Sequence, residues 1–487
     1  MNLERRGRAP RRSYRGKSLQ PPRRDQNRRS RAFESLLKMI VSNLQPLEIT
    51  TGAQFVDFVR ALNSTVEIPS KAEIRPQLLS VYRKMEEELR RSLSSADNVV
   101  LTCELWSSRP EDSYLTVGCH FVDRYGNLKS HMLKTTCLFG DKSPANIQKQ
   151  LSAVMEAWGV KEKVHSVVRA GMPQMKNVKV KWTDMPCFAD TLDEVFQDLK
   201  RNDELSHILR KCQNIVRFFK DDSEAEEKLR EIQHKLNGPQ DELVMYSGDQ
   251  WSAWLDMLQH LHQQYQAIVM VLDEKDKADL ILKTEDKDKL KNIISALEPL
   301  KEATAKMKSQ GFETISVMLP LLTTLMNKLE EKGRNNDVAQ MLLLKCRKEF
   351  GDVNNHQLAL STFLDPRYKN WLTNKNKEQA MDKIMKELTA GQICSPAQTS
   401  KWKDLLDRYM AYDPNSEKSN PLAWWRNTGK THFSELSQLA VKKLGVVSTA
   451  VPLERAFSRA GDQFCSLRSS IEPENLNMIL FLNSNWS

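Results

Sequence analysis

These 487 residues lack the usual signatures of metal and nucleotide binding. The eight cysteines (103, 119, 137, 187, 212, 346, 394 and 465) are scattered, with no Cys-x-x-Cys and no Cys pair followed by a His pair. A structural zinc site needs closely spaced thiolate and imidazole ligands, so no metal is expected and buried, reduced thiols are the simpler reading. No GxxxxGK[ST], GxGxxG, GxSxG or HExxH occurs, which removes the matching nucleotide-binding, hydrolase and metalloprotease classes. His260 and His262 lie two apart on a helical stretch and cannot face one ligand. Neither a cofactor nor a small-molecule substrate is expected. Long apolar runs are also missing. The longest, Ile315 to Met326, is short and broken by Pro320 and two threonines, so no membrane partner is expected.

The charge that is present is unevenly placed. Residues 1–32 hold 12 Lys/Arg against two acids, Glu4 and Asp25. The rest of the chain balances 61 basic with 61 acidic residues, so the net +10 resides in this arm. An Arg-rich, apolar-poor arm repels itself and is expected to be disordered. Guanidinium groups suit phosphate contacts and nuclear import, so Arg5, Arg6, Arg11, Arg12, Arg23, Arg24, Arg28 and Arg29 are the candidate nucleic-acid contacts.

With 40% hydrophobic residues the chain as a whole has enough apolar surface for two or three packed domains. Residues 33–95 read as a small helical region, in which Ser70 and Glu73 form a capping box ahead of a long helix. From Val99 the period changes to two. Val99–Trp106, Tyr114–Asp123 and Leu128–Phe139 predict a three-stranded antiparallel meander, with a turn at Arg124–Asn127. A helix at 146–158 and a strand at 163–168 follow. The order βββ-α-β opens an RNase H-like fold, whose first part is taken as 96–182. From about Thr183 helical periodicity dominates, interrupted by the compact TFLDPRYKNW segment at 362–371, and 183–415 reads as an all-helical insertion. The predicted class is therefore α+β, an RNase H-like core interrupted by helices.

The last segment, 416–487, carries more apolar and aromatic surface than a solvated tail. Trp424 and Trp425 open it, Phe433, Leu436 and Leu439 recur at helical spacing, and Met478–Leu482 closes it. It resembles the C-terminal dimerisation region of hAT-superfamily transposases, as found in zinc-finger BED-type proteins. Echoes upstream keep the family order: Leu44-Gln-Pro, Phe55-Val-Asp-Phe-Val-Arg-Ala-Leu-Asn63, Pro186-Cys-Phe-Ala-Asp-Thr-Leu192, Asp249-Gln-Trp-Ser252 and Leu364-Asp-Pro-Arg-Tyr-Lys369. The resemblance covers roughly 33–487, and the finger that precedes it in such proteins is not found in the sequence.

The resemblance implies three carboxylates that hold two magnesium ions. The first falls on Glu104, in Thr102-Cys-Glu-Leu-Trp-Ser-Ser108, where the family has Asp. The second falls on Ala170, in Arg169-Ala-Gly-Met172, which has no ligand atom. The third is Glu454, in Leu453-Glu-Arg-Ala-Phe-Ser458. The family Cys-x-x-His pattern keeps Cys187 but has Asp190 in place of the histidine. No catalytic residue is therefore assigned and a non-enzyme is expected. The implied protein is a domesticated nuclear relative that forms homodimers or larger homo-oligomers, binds DNA, chromatin or partner proteins, and regulates transcription. Self-association is assigned to Trp424, Trp425, Phe433, Leu436, Leu439, Phe457, Leu480 and Phe481. The alternatives are an active transposase or nuclease, and an oligomeric adapter without DNA contact.

Overall fold

The computed structural model describes residues 23–64, 66–107, 113–175, 180–245, 251–309, 314–350, 356–389, 396–413, 420–450 and 471–486. Three helices lead in: α1 (Arg23–Ser42), α2 (Ala53–Leu62) and α3 (Lys71–Ser94). The capping box stands as the sequence predicts, with Ser70 N donating to Glu73 Oε2 at 2.9 Å. The end of the basic arm differs from expectation. Helix α1 starts at Arg23, ten residues inside the stretch read as disordered. Leu37, Ile40 and Val41 anchor its second half in the core, and a helix so anchored can extend backwards one hydrogen bond per residue.

The sheet contains β1 (Val99–Ser107), β2 (Ser113–Val122), β3 (Leu128–Cys137), β4 (Val164–Ala170) and β5 (Thr183–Pro186), with α4 (Pro144–Ala157) crossing between β3 and β4. Its order is β3-β2-β1-β4-β5; the meander is antiparallel, and β4 and β5 are parallel additions. The β2–β3 turn works as its residues suggest: Asp123 Oδ1 accepts from Tyr125 N and Asn127 N, and Gly126 supplies the positive φ. The fifth strand corrects the reading that helix begins at Thr183. Four residues are too few to show a period, and only the pairing with β4 reveals it.

Side chains alternate across the sheet. Leu101, Cys103 and Val167 join a core with α1, α3, α4 and the C-terminal helix, Pro473–Asn485. Val100, Val168 and Ala170 face the opposite way, into a larger core built by the helices from Phe188 to Glu349. A third core joins residues 359–409 to Leu422–Leu444. The C-terminal helix also covers the free edge of β3. Asn485 Oδ1 accepts from Met132 N at 3.2 Å, its Nδ2 donates to Met132 O at 2.9 Å, and Asn477 Oδ1 accepts from Thr135 N at 2.8 Å. Side-chain amides thus take the place of a sixth strand on an otherwise open edge. Among the described residues no helix is long and apolar enough to cross a membrane.

Candidate functional site

Parallel pairing sets Glu104 of β1 directly beside Ala170 of β4, at the carboxyl ends of both strands. By the alternation of the sheet they share one face. Next on that face come Thr116, opposite Glu104, and Thr135, opposite Thr116. Thr116 Oγ1 accepts from Trp106 Nε1 at 2.9 Å and lies 2.9 Å from Thr135 Oγ1. A second chain runs alongside, buried at Thr102 and His120 and reaching the surface at Ser130: Thr102 Oγ1 to His120 Nε2 at 3.1 Å, and His120 Nδ1 to Ser130 Oγ at 2.8 Å. Burial pushes His120 down to about 3, so it stays neutral and serves the network. His131, partly buried on β3, bonds Asn485 Oδ1.

Beyond Ala170 the chain turns sharply. Gly171 has φ +67, and a Cβ there would lie 2.4 Å from Leu105 O. No other residue fits both the conformation and the space. We expect Gly171→Ala to lower stability by about 2–4 kcal/mol, from left-handed strain and the clash together. Urea unfolding would read it, and a change under 0.5 kcal/mol would show that the strand end can yield.

Two further carboxylates approach this turn. Asp190, in the first turn of α5 (Phe188–Lys200), accepts from Gly171 N at 2.9 Å. Asp184 of β5 accepts from Arg169 Nε at 2.7 Å, and Arg169 Nη1 also reaches Met172 O at 3.3 Å. Burial raises the pKa of both carboxyls above the usual carboxylate range, offset only in part by Arg169 and, at Asp190, first by the Gly171 N–H. In the sequence Asp190 stands out only as the residue in place of the family histidine. The strand pairing and the helix start at Cys187 bring both to the site, and the one sequence signal was the acid in the first turn of a helix.

The magnesium pair implied by the fold does not fit these residues. Ala170 offers no side-chain oxygen, Arg169 brings a cation beside it, and Glu454 lies outside the described residues. Among the described residues no three His, Cys, Asp or Glu side chains converge as metal ligands. The thiols are not ligands in waiting either. Five of the six described cysteines are buried, and burial pushes the Cys103 and Cys119 thiols far up.

Most of the residues assigned to self-association have another position. Trp425, Phe433, Leu436, Leu480 and Phe481 are buried inside this one chain. As surface contacts these five are corrected, because a side chain already desolvated by its own core has nothing left to bury against a second copy. Trp425 Nε1 donates to Leu364 O at 2.7 Å, and its ring is so close to Gly429 that a Cβ there would lie 2.4 Å from it. Phe481 packs between Tyr82 and Trp158. Trp424 and Leu439 are half-buried, and Phe457 lies outside the described residues. Of the arm, Arg5, Arg6, Arg11 and Arg12 lie outside them too, while Arg23, Arg24, Arg28 and Arg29 belong to α1.

The Leu364–Lys369 segment is a structural knot. Asp365, fully buried, accepts from Arg367 Nε and Nη2 and from Ser316 Oγ. Lys369, also buried, donates from Nζ to the carbonyl oxygens of Tyr409 (2.6 Å), Met410 (3.2 Å) and Tyr412, which end the Pro396–Ala411 helix. Burial lowers its ammonium from 10.5 to about 8. Between those values the unfolded chain binds the proton that the folded chain has lost. Stability should therefore rise as pH increases from about 8 towards 10.5. The slope is measured as the difference between wild type and Lys369→Met, and a flat difference would refute it.

A five-stranded RNase H-like sheet, a helical domain inserted after its fifth strand and a C-terminal helix that closes its edge define a transposase-type core. Three family models match it: the ZBED1 RNase-like domain over 102–180, the ZBED1 RNase-like helical domain over 185–296 and the hAT family C-terminal dimerisation region over 405–486. The chain belongs to the hAT transposase-derived family of zinc-finger BED-type proteins, and no model of the BED finger itself matches it. It is 23% identical to the human "Zinc finger BED domain-containing protein 4" over 92% of its own length and 43% of that protein's. It is 23% identical to rice "Zinc finger BED domain-containing protein RICESLEEPER 3" over 70% of the chain and 48% of the relative. The maize "Putative AC transposase" shares 22% identity over 28% of the chain and 17% of its own length. The chain spans less than half the length of each of these relatives.

Proposed function

We propose that this chain is the non-catalytic scaffold of a domesticated hAT transposase, nuclear and self-associating, that binds DNA, chromatin or partner proteins in transcriptional regulation. The observation that carries the reading is the pairing of Glu104 with Ala170. At the point where two-metal chemistry needs a second carboxylate there is a methyl group, with a guanidinium beside it. Self-association is supported by the dimerisation region over 405–486. DNA contact is supported by the net +10 held in residues 1–32. Nuclear location rests on that same basic stretch and on the family of BED-type relatives.

Two measurements test it. Mn²⁺ titrated calorimetrically into the full chain should give no heat of binding, and duplex DNA should remain uncut in Mg²⁺. Bound manganese or a nick would restore the nuclease reading. Filter binding to duplex DNA should fall steeply with salt and be lost on deleting residues 1–32. Binding that is absent from the full chain would leave a protein-only adapter.

A further inference from the structure

Beyond the basic arm the chain is neutral as a whole but not part by part. Residues 188–350 hold 24 basic against 30 acidic side chains, whereas residues 359–444, which build the third core, hold 14 against 9. Many acids of the first group pair with its own lysines, as Asp286 does with Lys211 and Glu298 with Lys332. The surplus cations of the second group gather at one end of the sheet, opposite Glu104 and Ala170. There the β2–β3 turn packs against the third core. A Cβ on Gly126 would lie 3.0 Å from Arg426 Cγ, and one on Gly445 would lie 3.1 Å from Val122 Cγ2.

These contacts bring cations from four elements to one place. Arg124 stands exposed on the turn, its guanidinium 4.8 Å from the ring centre of Tyr125, which is 63% exposed. Arg426 is half-buried, and its Nε lies out of water and donates to no described residue. Lys442 and Lys443 end the Ser434–Leu444 helix, and Lys383 comes from the Asn374–Leu388 helix packed beside it. Glu387 pairs with the buried Lys443 at 2.9 Å. Arg124, Lys383, Arg426 and Lys442 have no acid partner among the described residues. The cations also act on one another. Burial holds the Lys443 ammonium below its ordinary value against the pull of Glu387, and Lys442 and Lys383 push it the same way. Burial takes His165, at the start of β4, down to about 3, and Lys442 and Lys443 add to the effect. Two lysines in the last turn of a helix are ordinary, because they suit the negative end of its dipole. That does not account for Lys383 and Arg426, which other elements bring to the same end. A guanidinium nitrogen withdrawn from water without an acceptor costs stability.

We infer that this end of the sheet is a second contact surface for the sugar–phosphate backbone of duplex DNA, resting on the DNA-binding reading above. A row of phosphates supplies the separate anionic acceptors that cations on separate elements need, and the guanidinium fork of Arg426 matches phosphate oxygens. Contacts of this kind fix how a duplex lies on the protein and read no sequence. A few of them cannot hold DNA alone, so the arm remains necessary and this surface sets the path of the duplex beyond it.

The test is filter binding of the full chain to a short mixed-sequence duplex over a salt series. Each phosphate contact steepens the fall of log K with log salt by about 0.9. Lys383→Gln/Arg426→Gln/Lys442→Gln should therefore flatten that slope by about 2–3. It should also weaken binding at about 0.1 M salt at least 30-fold, with an unchanged circular dichroism spectrum. The charge-preserving Lys383→Arg/Arg426→Lys/Lys442→Arg should keep the wild-type slope, which a variant damaged in its fold would not. A wild-type slope in the glutamine variant, or an equal loss in both variants, overturns this surface and leaves the arm as the DNA contact. Polyglutamate bound as tightly as the duplex, and released by the glutamine variant, would make it a surface for an acidic protein instead. A wild type that binds no duplex at all overturns this surface and the DNA-binding reading together.

Discussion

Asp365→Ala should be the most damaging single change in the helical part of the molecule, at about 3–5 kcal/mol. Two losses combine in that figure. The Arg367 guanidinium, whose side chain is 5% exposed, would be left as an unpaired charge away from water. Ser316 Oγ, buried as well, would lose the carboxylate oxygen it donates to at 2.7 Å. A buried charge without a partner costs more than the pair ever contributed, so removing both partners should hurt less than removing one. Asp365→Leu/Arg367→Met should thus recover part of the loss. Guanidinium unfolding followed by far-ultraviolet circular dichroism measures both. If the single variant lost less than 1 kcal/mol, or the double variant were worse, the ion pair would not be what closes this segment.

Phe481→Ala should cost about 3–5 kcal/mol through the cavity it opens between Tyr82 and Trp158. The size of the loss is less telling than its concentration dependence. A core residue destabilises the chain equally at every protein concentration. A dimer contact destabilises it only where dimer is populated, because association shifts stability by mass action. The prediction is a drop in the unfolding midpoint that stays constant across a hundredfold dilution series. A drop that disappears on dilution would return Phe481 to an interface between copies.

The capping box at Ser70, the meander, the helix after it and the helical insertion were all legible in the sequence because each rests on local signals: a side chain near in the chain, a period of two, a period of 3.6. That position 170 carries no side-chain ligand was legible as well, since an alanine has only a methyl group wherever it lies. Its surroundings were not. Asp184 and Asp190 are 14 and 20 positions beyond Ala170, and only the pairing of β5 with β4 and the start of α5 bring them to the same turn.

The apolar C-terminal segment shows the division most clearly. Its composition and spacing determined that Trp425, Phe433, Leu436, Leu480 and Phe481 would be buried, because that much apolar surface is not left in water. Composition does not say against what. Hydrophobic burial has no direction, so the same residues could cover a second copy or this chain's own core. The tertiary structure decided for the core, by docking the last helix on β3 and α3, 300 to 400 residues earlier in the chain. By the same closure it left α2, whose sequence looked like any amphipathic helix, with its apolar face uncovered.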